Sequence, residues 1–369
     1  MRRQRVWLVL AAVLFALGAA LMLWGQGDEQ KPEAARVEFP RQLRQREVER
    51  MTARRTRQAP PPGAVGGIPP QPRDPLLAAL PRGKGRTALV FEANALRHSP
   101  VGELLLDCML RDGGSGLARL RERTGVDPLQ DLDRLVVTDD GVILSGNFGK
   151  ARLAELLEGS ESQQYGEGAR LYAPILPPSA DGAEPRERPS MASWNDQLLV
   201  FSRNPDGARE VVDRVEGRAG ADEAPLIDEE STYGEMYGVV SVAQLSKMLG
   251  NEQPELLARL GEVAQSVELH VDARSDVALV AQVKGGDADK VADLGKSLGA
   301  ALSVARLRAQ AEGQKELVEL LDFARVRPDD GTFQLEMALP LAYLQQKLGS
   351  CAEERRAAEA ARDGGVHTL

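Results

Sequence analysis

Histidine is scarce in this chain of 369 residues, with only His98, His270 and His367. No two of them fall within a helical turn, which excludes a paired-histidine metal motif on one helix face. Cysteine is limited to Cys108 and Cys351, so at most one intramolecular disulfide can form. Aromatic residues make up 4 %. That removes the stacking platforms on which single-stranded nucleic acid is held, and leaves a core to be built from Leu, Val and Ala. No excess of positive charge exists either: the net charge is −9, the opposite of the basic face a nucleic-acid binder presents. No Gly-x-Ser-x-Gly elbow occurs. With so few histidines, a serine triad assembled from distant residues has little to draw on.

What the chain does have is globular composition, 43 % hydrophobic and 27 % charged, over a length that fits about two domains. It also has one long uncharged run. "MRRQR" (1–5) precedes "VWLVLAAVLFALGAALMLW" (6–24). As a helix those residues rise about 28 Å, enough to cross the hydrocarbon core. Arg2, Arg3 and Arg5 lie before the run, and acidic residues follow it. The positive-inside rule then places 1–5 in the cytoplasm as a basic tip and everything after Trp24 outside. A cleaved signal peptide is the competing reading. It fits less well, because its apolar core is usually shorter and the best small-residue site, Gly18-Ala19-Ala20, lies inside the run.

Residues 25–85 read as a flexible Arg/Pro-rich tether. "RQLRQREVERMTARRTRQ" (41–58) is Arg-rich, and "APPPGAVGGIPPQPRDP" (59–75) has too much Pro and Gly for helix or sheet. Such a length of coil spans roughly 40 Å. The remainder reads as α+β in two similar β-α-β-β-α-β-β-α units, 86–218 and 233–349, behind the single N-terminal transmembrane helix. Each opens with a strand running into a helix, "TALVFEANALRHSPVGELLLDCML" and "YGVVSVAQLSKMLG". The repeat rests on this order of elements rather than on identity. Residues 177–190 read as an exposed loop, and 350–369 as a charged tail.

"GKSLG" (295–299) carries the Gly-Lys-Ser that closes many phosphate loops. The motif needs Gly five places earlier, where Lys290 stands. Val291, Leu294, Leu298 and Leu302 instead form the apolar stripe of one helix. The triplet therefore falls mid-helix, with Gly295 allowing close helix–sheet packing, and no nucleotide or other cofactor is expected. Asp139-Asp140 and Asp329-Asp330 each precede Gly, as turns select. Neither has the alternating acids of a calcium loop, so no metal site is expected. His270 in "VELHVDA" reads as a strand residue with Val267, Leu269 and Val271 on the other face, and His98 as a capping or surface residue. No catalytic residue is assigned. Cys108 and Cys351 can form a disulfide in an oxidising compartment, closing a loop of more than 240 residues. Equally, Cys108 can be packed as a thiol beside Leu104 and Leu105.

The stretch "RDPLLAALPRGKGRTALVFEANALRHSPVGELLLDC" (73–108), behind the anchor and tether, resembles membrane-anchored envelope proteins of high-GC bacteria of the myxobacterial type. The resemblance implies an envelope location and brings no activity, cofactor or site residue. The expectation is a single-pass inner-membrane protein with its body in the periplasm, acting as a non-enzymatic scaffold or binding module for an envelope protein. The alternatives are an envelope hydrolase using carboxylates in an inter-unit cleft, and a secreted soluble protein. The intact mass of the membrane-extracted chain checks the anchor: an unprocessed N-terminus is expected, and a start beyond residue 20 overturns it.

Overall fold

The computed structural model describes residues 74–106, 121–122, 124–153, 160–174, 190–219, 223–228, 231–249, 254–329, 331–346 and 348. The expected anchor (6–24), most of the tether, most of the tail, and both Cys108 and Cys351 lie outside them. The described residues are α+β, in two compact units: 74–98 with 121–241, and 99–106 with 242–348.

The first unit begins earlier than the sequence implies. Residues 74–85, assigned to the tether by their Pro and Gly, belong to the fold. Helix α1 (Pro75–Ala79) starts with Pro, whose fixed φ suits the first helical turn, and is capped by the Asp74 carboxylate, which accepts from the Leu76 N–H at 2.9 Å. Its Leu76 and Ala79 are fully buried. Arg82 bridges to Pro225, and the Gly83 N–H donates to the Ala224 carbonyl. There follow β1 (Ala88–Phe91), α2 (Ala93–Arg97), β2 (Leu132–Thr138), β3 (Gly141–Gly146), β4 (Ser160–Tyr165), β5 (Ala169–Pro174), β6 (Ser190–Trp194), β7 (Leu198–Ser202), α3 (Pro205–Val215) and β8 (Met236–Ser241).

These strands take the order β8-β1-β2-β3-β7-β6-β5-β4, each paired antiparallel with its neighbours. Strand residues alternate between faces, so one register fixes a whole row. Tyr237, Val90, Val136, Ile143, Val200, Ala192 and Leu171 lie directly opposite one another in succession, and the row ends at Gln163. All but Gln163 are buried, and they form one core with Leu76, Ala79, Ala208, Val211 and Val212 of α1 and α3. Asp139 and Asp140 form the two-residue β2–β3 connection, closed by the Gly141 N–H donating to Thr138 Oγ1 at 3.1 Å. β8, which the sequence pattern assigns to the second unit, pairs with β1 along its length. β4 and β6 are additional to the strand pair expected there.

The second unit comprises α4 (Val242–Leu249), α5 (Pro254–Val263), β9 (Ser266–Asp272), β10 (Val277–Lys284), α6 (Ala288–Ala311), α7 (Lys315–Asp322), β11 (Ala324–Asp329) and β12 (Thr332–Leu339). Its strands run β11-β12-β10-β9, also antiparallel. Val267, Ala281, Val283 and Phe333 form a core with Val291 and Leu294 of α6. Gly-Lys-Ser falls inside α6. A Cβ on Gly295 would meet the Phe333 side chain at 3.0 Å, while Lys296 is exposed and pairs with Asp293 at 3.4 Å. The glycine lets the helix approach its sheet.

Two measurements test this packing. Gly295→Val overfills the α6–Phe333 contact and is expected to destabilise by about 1–3 kcal/mol. Lys296→Ala is expected to stay within about 0.5 kcal/mol, as exposed positions do. Equal losses in chemical denaturation overturn the packing role. The second test concerns Asp74, whose carboxylate takes a bidentate contact from Arg134 Nη1 and Nη2 at 2.6 and 2.9 Å. Burial raises the Asp74 pKa, but the Arg134 hydrogen bonds and charge, with the Leu76 and Leu77 N–H groups, outweigh it and hold it below the ordinary value. A lowered folded pKa gives stability that is present above the unfolded value, about 3.9, and lost as pH falls through the folded one. Asp74→Asn keeps the cap, so its cost of about 1–2 kcal/mol is expected to be constant from about pH 5 to 8 and to shrink below about pH 4. A cost that does not change below pH 4 overturns the ion pair as its source.

Candidate functional site

β4 is the last strand in the order of the first unit, with β5 on one side and no strand on the other among the described residues. Its sequence, Ser-Glu-Ser-Gln-Gln-Tyr, pairs with β5 over all six positions, and Glu161 to Gln164 are exposed. A regular, fully paired edge presents a row of unpaired backbone donors and acceptors. Proteins usually blunt such edges with Lys, Pro or a bulge. β4 has none of these, and its one charged residue, Glu161, faces the groove. β11, the last strand of the other unit's order, carries Arg325, Arg327 and Pro328.

Beside β4 runs a groove of about 390 Å³. Its floor is the inner face of β4, β5 and β6, with Glu161, Gln163, Leu171, Ala173 and Ser190, and its wall is Pro205 and Arg209 of α3. α3 packs mainly on β5, β6 and β7 and meets β4 at Tyr165, the end away from the groove. Asn204 caps α3, its Oδ1 accepting from the Gly207 N–H at 2.7 Å, and Pro205 fixes the first turn. Ser190 Oγ donates to the Asn204 carbonyl at 2.8 Å, which ties the start of β6 to that cap. Arg209 is 43 % exposed and pairs at 2.9 Å with Asp206, itself 89 % exposed. Such a pair is worth little in water, so the guanidinium is available to a ligand.

The far end of β4 is held firmly. Tyr165 Oη donates to Asp213 Oδ2 at 3.0 Å, and Arg218 lies over the Tyr165 ring at 5.1 Å while donating to Asp213 at 2.6 and 2.9 Å. Those Asp213 hydrogen bonds hold the Arg218 pKa above its ordinary value. Glu216 accepts from the Glu167 and Gly168 N–H groups and from Trp194 Nε1 at 3.0–3.2 Å. The β4–β5 turn is thus clamped onto the C-terminal end of α3, and the open edge is preorganised. This arrangement can hold an extended peptide by backbone hydrogen bonds, with alternate side chains entering the groove.

The histidines do not converge here. His98 ends α2, with Nδ1 2.7 Å from the Asn94 carbonyl, and is exposed. His270 is 2 % exposed on the polar face of β9, Nε2 lying 3.0 Å from Glu268 Oε1, and Lys284 Nζ donates to Glu268 Oε2 at 2.7 Å. Across β10, Glu336 is 1 % exposed and accepts from Arg325 Nε at 2.6 Å through one oxygen, while Oε1 has no hydrogen-bond partner. Among the described residues no group of three His, Cys, Asp or Glu is placed to hold a metal ion. No helix among them is long and apolar enough to cross a membrane. The sequence reading assigned no catalytic, cofactor or metal residue, its possible disulfide of Cys108 with Cys351 lies outside the described residues, and β4 was missed because a polar edge strand lacks apolar alternation.

No family model matches the chain, and no curated protein matches it. Among solved structures it is similar to one titled "Structure of crystal form I of TP0453", at a TM-score of 0.39 and 12 % identity over 76 % of this chain and 98 % of that one. A likeness at that score carries neither fold nor function across.

Proposed function

We propose that the chain is a non-enzymatic scaffold or binding protein of the cell envelope, anchored in the inner membrane by residues 6–24 with its body in the periplasm, and that it holds an extended segment of a partner protein along β4. The observation that carries the binding part is the fully paired, bulge-free edge of β4 beside the groove walled by Pro205 and Arg209. Strand addition draws affinity from the backbone and selectivity from alternate side chains. Here an acidic side chain opposite Arg209 and a small apolar one over Leu171 fit best. The anchor reading rests on the uncharged run and its flanking arginines. The duplication reading gains support from β1 and β8, which lie side by side and each lead into a helix.

Site-specific photo-crosslinking in cells tests the edge. A photoreactive residue at Ser162 or Gln164 is expected to capture a discrete partner, and the same residue at Lys290 in α6 to capture far less. With the photoreactive residue at Ser162, Gln164→Pro removes a backbone donor that faces away from β5 and inserts a rigid ring in the edge strand. It is expected to cut the β4 crosslink by roughly tenfold, equivalent to about 1.4 kcal/mol, without loss of the cooperative unfolding transition. Crosslinking at Ser162 and Gln164 no stronger than at Lys290 overturns the reading.

A further inference from the structure

β4 turns half of its backbone outward. The Asn195 N–H donates to the Gly168 carbonyl. In β5 the backbone groups of Arg170 and Tyr172 therefore face β6, and those of Ala169, Leu171 and Ala173 face β4, because antiparallel partners alternate in this way. Tyr165, Gln163 and Glu161, which lie opposite those three, are thereby engaged. The N–H and C=O groups of Ser160, Ser162 and Gln164 point away from β5. The side chains of the same three residues lie on the face opposite α3, since strand residues alternate between faces, and Ser162 and Gln164 are exposed.

In the antiparallel sense these outward residues are complementary to themselves. With Ser162 opposite Ser162 of a second copy, all three gain a partner: Ser160 meets the copy's Gln164, and Gln164 meets its Ser160. Hydroxyl pairs across strands are favourable neighbours. On the other face Glu161, the one charged residue of β4, meets the copy's Gln163. A register shifted by two residues one way sets Glu161 against Glu161, and like charges directly opposite destabilise. Shifted the other way, Ser160 falls opposite Gly166, which belongs to the β4–β5 turn rather than to the strand. The chain also treats its two outermost strands differently. β11, the last in the second unit's order, carries Arg325, Arg327 and Pro328. Such devices keep one copy of a protein from pairing with another, and β4 lacks them.

We infer that β4 pairs antiparallel with β4 of a second copy, about a two-fold axis at Ser162. The inference rests on the strand-addition reading of this edge and names its occupant. A two-fold contact uses the same edge on both copies, so it closes at two chains and leaves no β4 edge free to continue. Both grooves then lie on the α3 face of the joined strands, on either side of the axis, and two Arg209 side chains accompany two Glu161. Pairing of one strand from each copy is a small interface, at the weak end of specific complexes. The dimer therefore forms and parts with concentration, and joins two bodies of the scaffold edge to edge.

The test uses the purified full chain with Cys108 and Cys351 replaced by Ser and single cysteines placed along β4, oxidised by glutathione disulfide. Residues directly opposite in a hydrogen-bonded antiparallel pair have Cα atoms about 5.5 Å apart, which a disulfide spans. Ser162→Cys is expected to give a covalent dimer. In the same register each Gln164 lies four residues along from its counterpart, about 14 Å, as does each Ser160. Ser160→Cys or Gln164→Cys alone is therefore expected to link roughly tenfold less, and the two mixed together to link well. Gln164→Pro is expected to cut the Ser162→Cys link roughly tenfold with the cooperative unfolding transition retained. Self-linkage at 160 or 164 as strong as at 162 overturns the pairing, as does equal linkage at Asp206→Cys. Absence of linkage at 162 also overturns it, and a photoreactive residue at Ser162 in cells then separates the two readings. Capture of a protein of another mass leaves strand addition standing with a different occupant. Capture no stronger than at Lys290 overturns strand addition as well.

Discussion

The first unit depends on the pairing of β1 with β8. Residues 88–91 lie against residues 236–239, so the strand that opens the unit is completed by the strand that closes it. Polar contacts fasten both ends. At one, Thr87 Oγ1 and Ser241 Oγ lie 3.1 Å apart across a separation of 154 residues, and the Thr87 N–H donates to Asp139 Oδ2 at 2.7 Å. At the other, Tyr237 Oη donates to Glu92 Oε1 at 3.0 Å. Between them Gly238 has φ +151, and a Cβ there would lie 2.0 Å from the Ala88 carbonyl oxygen. No other residue fits that approach. Such a closure is entropically costly to reach and is made late in folding if local hairpins form first.

Once β1 and β8 are joined, the remaining strands follow from cross-strand packing. The row from Tyr237 to Leu171 keeps apolar residues on the face that α1 and α3 cover. Arg214 links the two helices: it is 9 % exposed, and its Nε and Nη2 donate to the Ala79 carbonyl at 3.1 and 3.0 Å. Burial pulls its pKa below the ordinary value, against the attraction of Glu210. The row ends at Gln163 because β4 is the last strand in the order among the described residues.

Local pattern revealed local structure. The Asp139-Asp140 turn, the strand character of His270 and the packing role of Gly295 were legible because each depends on neighbours within a few residues. The edge of the first unit was not. "SESQQY" has no buried face to write alternation into its sequence, and "SMASW" lies beside a Pro-rich stretch that masks it. β8 was assigned to the wrong side of the unit boundary because a strand's sequence does not say which strand it will pair with. α7, "KELVELLD", was legible in the spacing of Leu317, Leu320 and Leu321 and was passed over. Val291, Leu294, Leu298 and Leu302 explained α6, and the exposed Val304 and Leu307 on its far side were not needed to account for it.

Asp74 stands at the entry to the described fold, and its bidentate contact with Arg134 joins that entry to β2. Any pull on the chain ahead of residue 74 arrives first at this point. The cap, the ion pair and the buried Leu76 would have to give together before load reached the sheet. β2 sits inside the strand order rather than at its margin, so force entering there is shared by neighbours on both sides instead of peeling an outer strand. The joint between a long leading segment and a folded body is, in mechanical terms, reinforced where it is loaded.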